Sequence, residues 1–139
     1  MKVFINVKSI DKRRPKVGKI EYSFEKTPET LRELILGIVS DSVDEYNRRF
    51  EASEPKEILS EEEISDMSVF GKIAFGINYG EKKADKKKAF ETAISAFEDG
   101  LFRVFIGETE AEKLDDKIEI TEGDEITFIR FTMLAGRLW

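Results

Sequence analysis

Cysteine and histidine are both absent from this 139-residue sequence. Without them there is no disulfide, no thiolate or imidazole ligand for zinc, no cysteine nucleophile, and no histidine base to activate a serine or cysteine nucleophile. Carboxylate, lysine, tyrosine or cofactor chemistry survives that exclusion, as does a role without chemistry. An apolar run near the roughly 18 residues of a membrane-spanning helix is also missing. The opening MKVFINVKSI has polar residues inside it and no signal-peptide cleavage pattern, so the expected location is cytoplasmic, with no membrane partner.

What is present is a globular composition. Apolar residues make up 40% and charged residues 37%, which suits a folded core under a heavily charged surface. A chain of this length fits one domain, here residues 1–139, and buries roughly two thirds of the surface its unfolded form exposes. Lys and Arg number 23 against 29 Asp and Glu, a net charge of -6 that argues against wholesale binding to nucleic-acid phosphates or anionic lipid.

Periodicity divides the chain into elements. Val3, Ile5 and Val7 alternate with Phe4, Asn6 and Lys8, and Ile20, Tyr22 and Phe24 with Glu21, Ser23 and Glu25, which predicts an N-terminal hairpin across the polar stretch 11–18. Leu31, Leu34, Ile35, Ile38, Val39, Val43, Tyr46 and Phe50 share one helical face. Thr27-Pro28 marks the start of that helix, and so does a capping box of Thr30 and Glu33. Pro55 and many charges make 51–60 a connector, after which Ser60 and Glu63 cap a short helix through Ile64, Met67 and Val69 or Phe70 that ends before Gly71.

The segment 73–80 is ambiguous, and its glycines suit an irregular stretch that lays Ile73, Phe75, Ile77 and Tyr79 close against the core. Asp85 caps a third helix with Ala89, Phe90, Ala93, Ile94 and Phe97 on one face, and Gly100 closes it. Phe102, Val104 and Ile106 then form a strand, Ile118 and Ile120 a short second strand, and Glu122-Gly123-Asp124-Glu125 a turn into the last strand, Ile126 to Phe131. The expected fold class is α+β, in the order β-β-α, two more helices, β-β-β.

That order resembles the β-grasp, or ubiquitin-like, fold. The stretch FRVFIGETEAEKLDDKIEITEGDEITFIRFTMLAG is similar to the C-terminal half of the sulfur-carrier proteins of molybdopterin and thiamine synthesis. The resemblance implies a mixed sheet with the first and last strands adjacent at its centre, a long helix packed on one face, and a helical insertion at about 51–100 that the small carriers lack. The chain as a whole also resembles short bacterial proteins with no assigned activity. In the carriers a terminal Gly-Gly is adenylated and converted to a thiocarboxylate. This chain has Ala135-Gly136 there and continues through Arg137, Leu138 and Trp139, so carrier chemistry would need trimming after Gly136.

Other stretches invite chemistry and have plainer readings. Gly76 and Gly80, with Lys82 after Glu81, depart from the phosphate-loop pattern in spacing and in lacking a hydroxyl after the lysine. The lysines at 82, 83, 86, 87 and 88, like the basic residues 12–14 and 16, suit a solvated helix start and loop. Glu61 to Glu63 favour a helix N-terminus, and Asp115-Asp116 a turn. The eleven Phe residues read mostly as core.

No catalytic, cofactor-binding or metal-ligating residue is nominated. The expected function is a non-catalytic adaptor or regulatory module that binds another protein through Met133, Leu134, Gly136, Arg137, Leu138 and Trp139; the alternative is a carrier or modifier activated at Gly136.

Overall fold

The computed structural model describes residues 1–9, 17–51, 67–77, 79 and 84–131. Within them the elements run β1 (Lys2–Ser9), β2 (Val17–Ser23), α1 (Leu31–Glu51), α2 (Met67–Phe75), α3 (Lys86–Glu98), β3 (Phe102–Ile106), β4 (Thr109–Ala111) and β5 (Glu125–Arg130). The fold is mixed α+β. One five-stranded sheet has the order β2-β1-β5-β3-β4, with β1 and β5 parallel and the other neighbours antiparallel.

The N-terminal hairpin forms as its alternation predicts, with Val3, Ile5, Val7, Ile20 and Tyr22 buried on one face. The Gly-Asp turn sets β5 beside β1. Gly123 adopts φ +87 and donates its N–H to the Lys2 carbonyl at 2.8 Å, and the Asp124 carboxylate accepts from the Thr121 N–H and hydroxyl, both at 2.9 Å.

α1 begins at the expected cap. Thr30 Oγ1 accepts the Glu33 N–H at 3.2 Å, while the Glu33 carboxylate reaches one residue further out, to the Glu29 N–H at 2.9 Å. The next free N–H groups of this helix, on Leu31 and Arg32, donate to the carbonyls of Asp116 and Leu114. That docking explains a departure from expectation. Ile118 and Ile120 form no strand in the sheet, because the connector 112–120 is committed to the α1 N-terminus; its one ladder contact is an isolated bridge from Lys117 to Thr30. The short strand is Thr109–Ala111 instead, folded back on β3 by a two-residue turn in which Gly107 has φ +60.

A second departure concerns Gly71. It does not stop α2 but lies inside it, at the crossing with α1, where an added Cβ would come within 2.7 Å of the Ser42 Cβ and of the Tyr79 hydroxyl oxygen. The stop falls at Gly76, with φ +74 and its N–H donated to the Lys72 carbonyl at 3.0 Å. The cap expected from Ser60 and Glu63 lies outside the described residues. α3 matches expectation at both ends: the Asp85 side chain accepts the Lys87 N–H at 2.9 Å, and Gly100 takes φ +76. Ala89, Ala93 and Ala96 are its buried residues.

All three helices lie on one face of the sheet. Tyr22 of β2 reaches the α1 residues Gly37 and Asp41, Arg130 of β5 donates to the Ala74 carbonyl of α2 at 3.1 Å, and Phe102 of β3 packs on Phe97 of α3. Between the layers Phe70, Phe75, Phe102 and Phe128 form an aromatic cluster, all four fully buried, with ring centroids 5.3 to 6.3 Å apart.

Two consequences are testable. Gly71→Ala forces α1 and α2 apart and is expected to lower stability by about 1–3 kcal/mol, whereas Gly37→Ala, on α1 with nothing within 4 Å of the new methyl, should raise it by about 0.5–1 kcal/mol. Urea denaturation of both variants checks the pair, and an equal effect of the two would remove the close helix crossing.

The second concerns Tyr22, whose phenol is pushed well above its ordinary pKa by burial, and further by its hydrogen bond to the Asp41 carboxylate and that group's charge. The unfolded chain therefore loses this proton near pH of about 10 while the folded chain keeps it. Its contribution is complete below that pH and declines above it. Tyr22→Phe should flatten the alkaline fall in stability between neutrality and about pH 11; a fall as steep as in the parent would place the phenol in solvent.

Candidate functional site

The second face of the sheet follows from the same alternation that fills the core. Reading across the register, one row carries Glu21 of β2, Phe4 of β1 and Glu125 of β5. The next carries Asn6, Thr127, Phe105 of β3 and Glu110 of β4, and a third carries Lys8, Ile129 and Arg103. Phe131 follows β5, its N–H donated to the Leu101 carbonyl at 2.9 Å and its ring 5.2 Å from the Arg103 guanidinium carbon. Phe4, Phe105, Ile129 and Phe131 are half-buried, yet none of them joins the core cluster or packs against it.

Charges rim this apolar strip and pair with one another. Lys2 lies 3.6 Å from Glu21, Lys19 3.5 Å from Glu125, and Arg103 3.8 Å from Glu110. Each pair is solvent-exposed enough to contribute only about 0–1 kcal/mol. The rim is therefore easily rearranged by an incoming molecule.

At the centre stands Asn6, 4% exposed. Its Nδ2 donates to the Glu125 carboxylate at 2.6 Å and to the Thr127 hydroxyl at 3.2 Å. An ionised carboxylate accepts and never donates, so the amide group must point its nitrogen there. Oδ1 is then left buried without a hydrogen-bond partner. An orphaned acceptor of this kind costs about 1–3 kcal/mol, which marks Asn6 as a poor choice for stability alone.

A cleft of about 650 Å³ adjoins the rim at Arg103 and Glu110, between the ends of α1 and α3 and the strands β3 and β4. Its floor includes Phe97, Phe102 and Leu114, and two of its cations are engaged: Arg32 with Asp115 at 3.1 Å and Arg103 with Glu110. Among the described residues no group of three or more acidic, cysteine or histidine side chains is placed to hold a metal ion, and no helix is long and apolar enough to cross a membrane.

The residues singled out in the sequence are placed unevenly. Met133, Leu134, Gly136, Arg137, Leu138 and Trp139 lie outside the described residues, as do Gly80, Lys82, Lys83 and Glu61 to Glu63. Lys86 pairs with Asp44 at 2.9 Å at the solvated start of α3. Asp116 closes a turn by accepting the Lys113 N–H at 3.0 Å. The outer-face set was not singled out by sequence. Its signal was there in Val104-Phe105-Ile106 and Phe128-Ile129, neighbours that are apolar on both sides of a strand, where a half-exposed sheet needs only one.

Comparison with protein-family models, curated proteins and solved structures finds no match to the chain. The functional reading therefore rests on geometry and sequence.

If the strip is surface rather than core, Phe105→Ala should cost roughly 1 kcal/mol, against about 3–5 kcal/mol for Phe102→Ala on the same strand. Thermal unfolding of the two variants measures the difference. Equal costs would return Phe105 to the core.

Proposed function

We propose that this chain is a non-catalytic protein-interaction module with a β-grasp-like fold, and that it receives another protein on the open face of its sheet. The observation carrying the proposal is the group Phe4, Phe105, Ile129 and Phe131, half-buried apolar side chains that serve no core contact. Apolar strips within a weakly paired polar rim are the usual composition of a binding surface, with aromatic residues at its centre. The β-grasp reading is supported by the strand order β2-β1-β5-β3-β4, with the first and last strands parallel and adjacent at mid-sheet.

Phe131 belongs to this strip, and the residues that follow it in sequence extend the proposal. Met133, Leu134, Arg137, Leu138 and Trp139 supply apolar and cationic contacts of the same type to the same partner, beyond the Ala135-Gly136 step. The carrier reading uses the same strand order and assigns Gly136 the reactive role instead.

Site-specific incorporation of a benzophenone amino acid separates these readings. A photoadduct from position 105, absent from the exposed α3 position Glu91 and lost in the Ile129→Asp background, is the expected result. Deleting 137–139 should weaken the adduct without unfolding the protein. No adduct at 105, or an equal adduct at 91, would overturn the surface assignment; an intact mass ending at Gly136 with a thiocarboxylate or a covalent partner would favour the carrier.

A further inference from the structure

The open face differs in charge from the molecule as a whole. The chain carries a net charge of -6, so two copies repel each other in general. On this face Lys2, Lys8, Lys19 and Arg103 stand against Glu21, Glu110 and Glu125, and the two signs nearly cancel. A second copy approaching here meets little of that repulsion.

The charges are also ordered along the strands. The first row sets Glu21 and Glu125 on either side of Phe4, and the third sets Lys8 and Arg103 on either side of Ile129. One end of the strip is acidic and the other cationic. Lys8 is exposed and has no ion pair among the described residues. A two-fold axis crossing the strands at the middle row lays the first row of one copy over the third row of the other. Lys8 then reaches the second copy's Phe4 between Glu21 and Glu125, and Phe105 meets its own counterpart. That seat already takes an ammonium: Lys19 places its own 6.0 Å from the Phe4 ring centroid and 3.5 Å from Glu125, on a side chain 63% exposed that can yield the position. A two-fold axis running along β5 would instead lay Lys8 over Arg103, where like charges oppose the contact.

We propose that the partner received by the open face is a second copy of this chain, the two sheets stacking face to face as a two-fold dimer. The inference rests on the open face being the protein-binding surface. Packed sheets lie about 10 Å apart with their side chains interdigitated, and Phe4, Phe105, Ile129 and Phe131 fill that space from both sides. Such a contact uses one patch twice and closes at two copies. Five strands about 4.8 Å apart, with side chains on one face about 7 Å apart along each strand, give a footprint of roughly 20 by 20 Å. That is small for a permanent dimer, so the association is reversible and depends on concentration.

Sedimentation velocity over about a hundredfold range of concentration should show a monomer–dimer equilibrium. Lys8→Glu and Glu21→Lys each set like charges together at both symmetry-related contacts and should weaken dimerisation about tenfold or more. Mixed in equal amounts, the two variants should pair with each other about as well as the parent pairs with itself, since both contacts then join opposite charges. Both positions are exposed, so the variants keep their fold. A monomer at every concentration, or a mixture no more dimeric than its components, would overturn the proposal. Its failure is separable from failure of the surface itself. Purified protein carrying benzophenone at position 105 should yield a covalent dimer of this chain; an adduct at 105 formed only with a different protein would remove the second copy and leave the face standing, and no adduct from either source would remove both.

Discussion

The parallel pairing of β1 with β5 is the contact on which the remainder of the molecule depends. β1 and β2 form one local hairpin, and β3 and β4 form another; neither pair has a direct ladder to the other. β5 enters between them, parallel to β1 along Phe4–Ser9 and antiparallel to β3 along Phe102–Ile106. Two hairpins that would each be marginal alone become one sheet with a continuous apolar face. Because this pairing joins the first strand among the described residues to the last, its loop-closure cost must be met by burial, and the fully buried Ile126 and Phe128 of β5 supply it.

The helix layer is matched to that central strand. Phe128 meets Phe70 and Phe75 of α2 edge-on, while Arg130 sends its guanidinium past Gly76 to the last turn of the same helix. A cation there also suits the negative end of the helix. Gly76 thus has two roles at once: its left-handed backbone ends α2, and its missing side chain leaves room for Arg130. Gly71 has a third kind of role, letting α2 approach α1 at Ser42. One side of β5 is in this way committed to packing, and the alternation of the strand leaves Glu125, Thr127 and Ile129 on the other. The surface assigned to partner binding is the reverse side of the strand that organises the core.

Much of the framework was legible locally. α1 announces itself by seven-residue spacing and the Thr30–Glu33 cap, and α3 by Asp85 and Gly100, because a helix satisfies its backbone within its own segment and its ends need only a neighbouring side chain. Other features were not readable in that way. Gly71 looks like a stop in sequence and is a contact in space. Ile118 and Ile120 alternate like a strand, but the Ile118 N–H donates to the Glu29 carbonyl at the start of α1, whose Leu31 and Arg32 N–H groups bond the same connector at Asp116 and Leu114. The candidate site was the least legible part, since Phe105 differs from Phe102 only in parity along β3.

The amino-acid sequence by itself determined the type and order of the elements, the caps of α1 and α3, the turn at Gly123, and the exclusion of cysteine and histidine chemistry. Each of these depends on residue identity or on spacing within a few positions. Only the tertiary structure decided which apolar residues are core, which glycine is a crossing point, that Asn6 meets Glu125 and Thr127, and that its remaining oxygen meets nothing. Those outcomes depend on strand order and register, which bring together residues far apart in the chain and commit one face of each strand to burial.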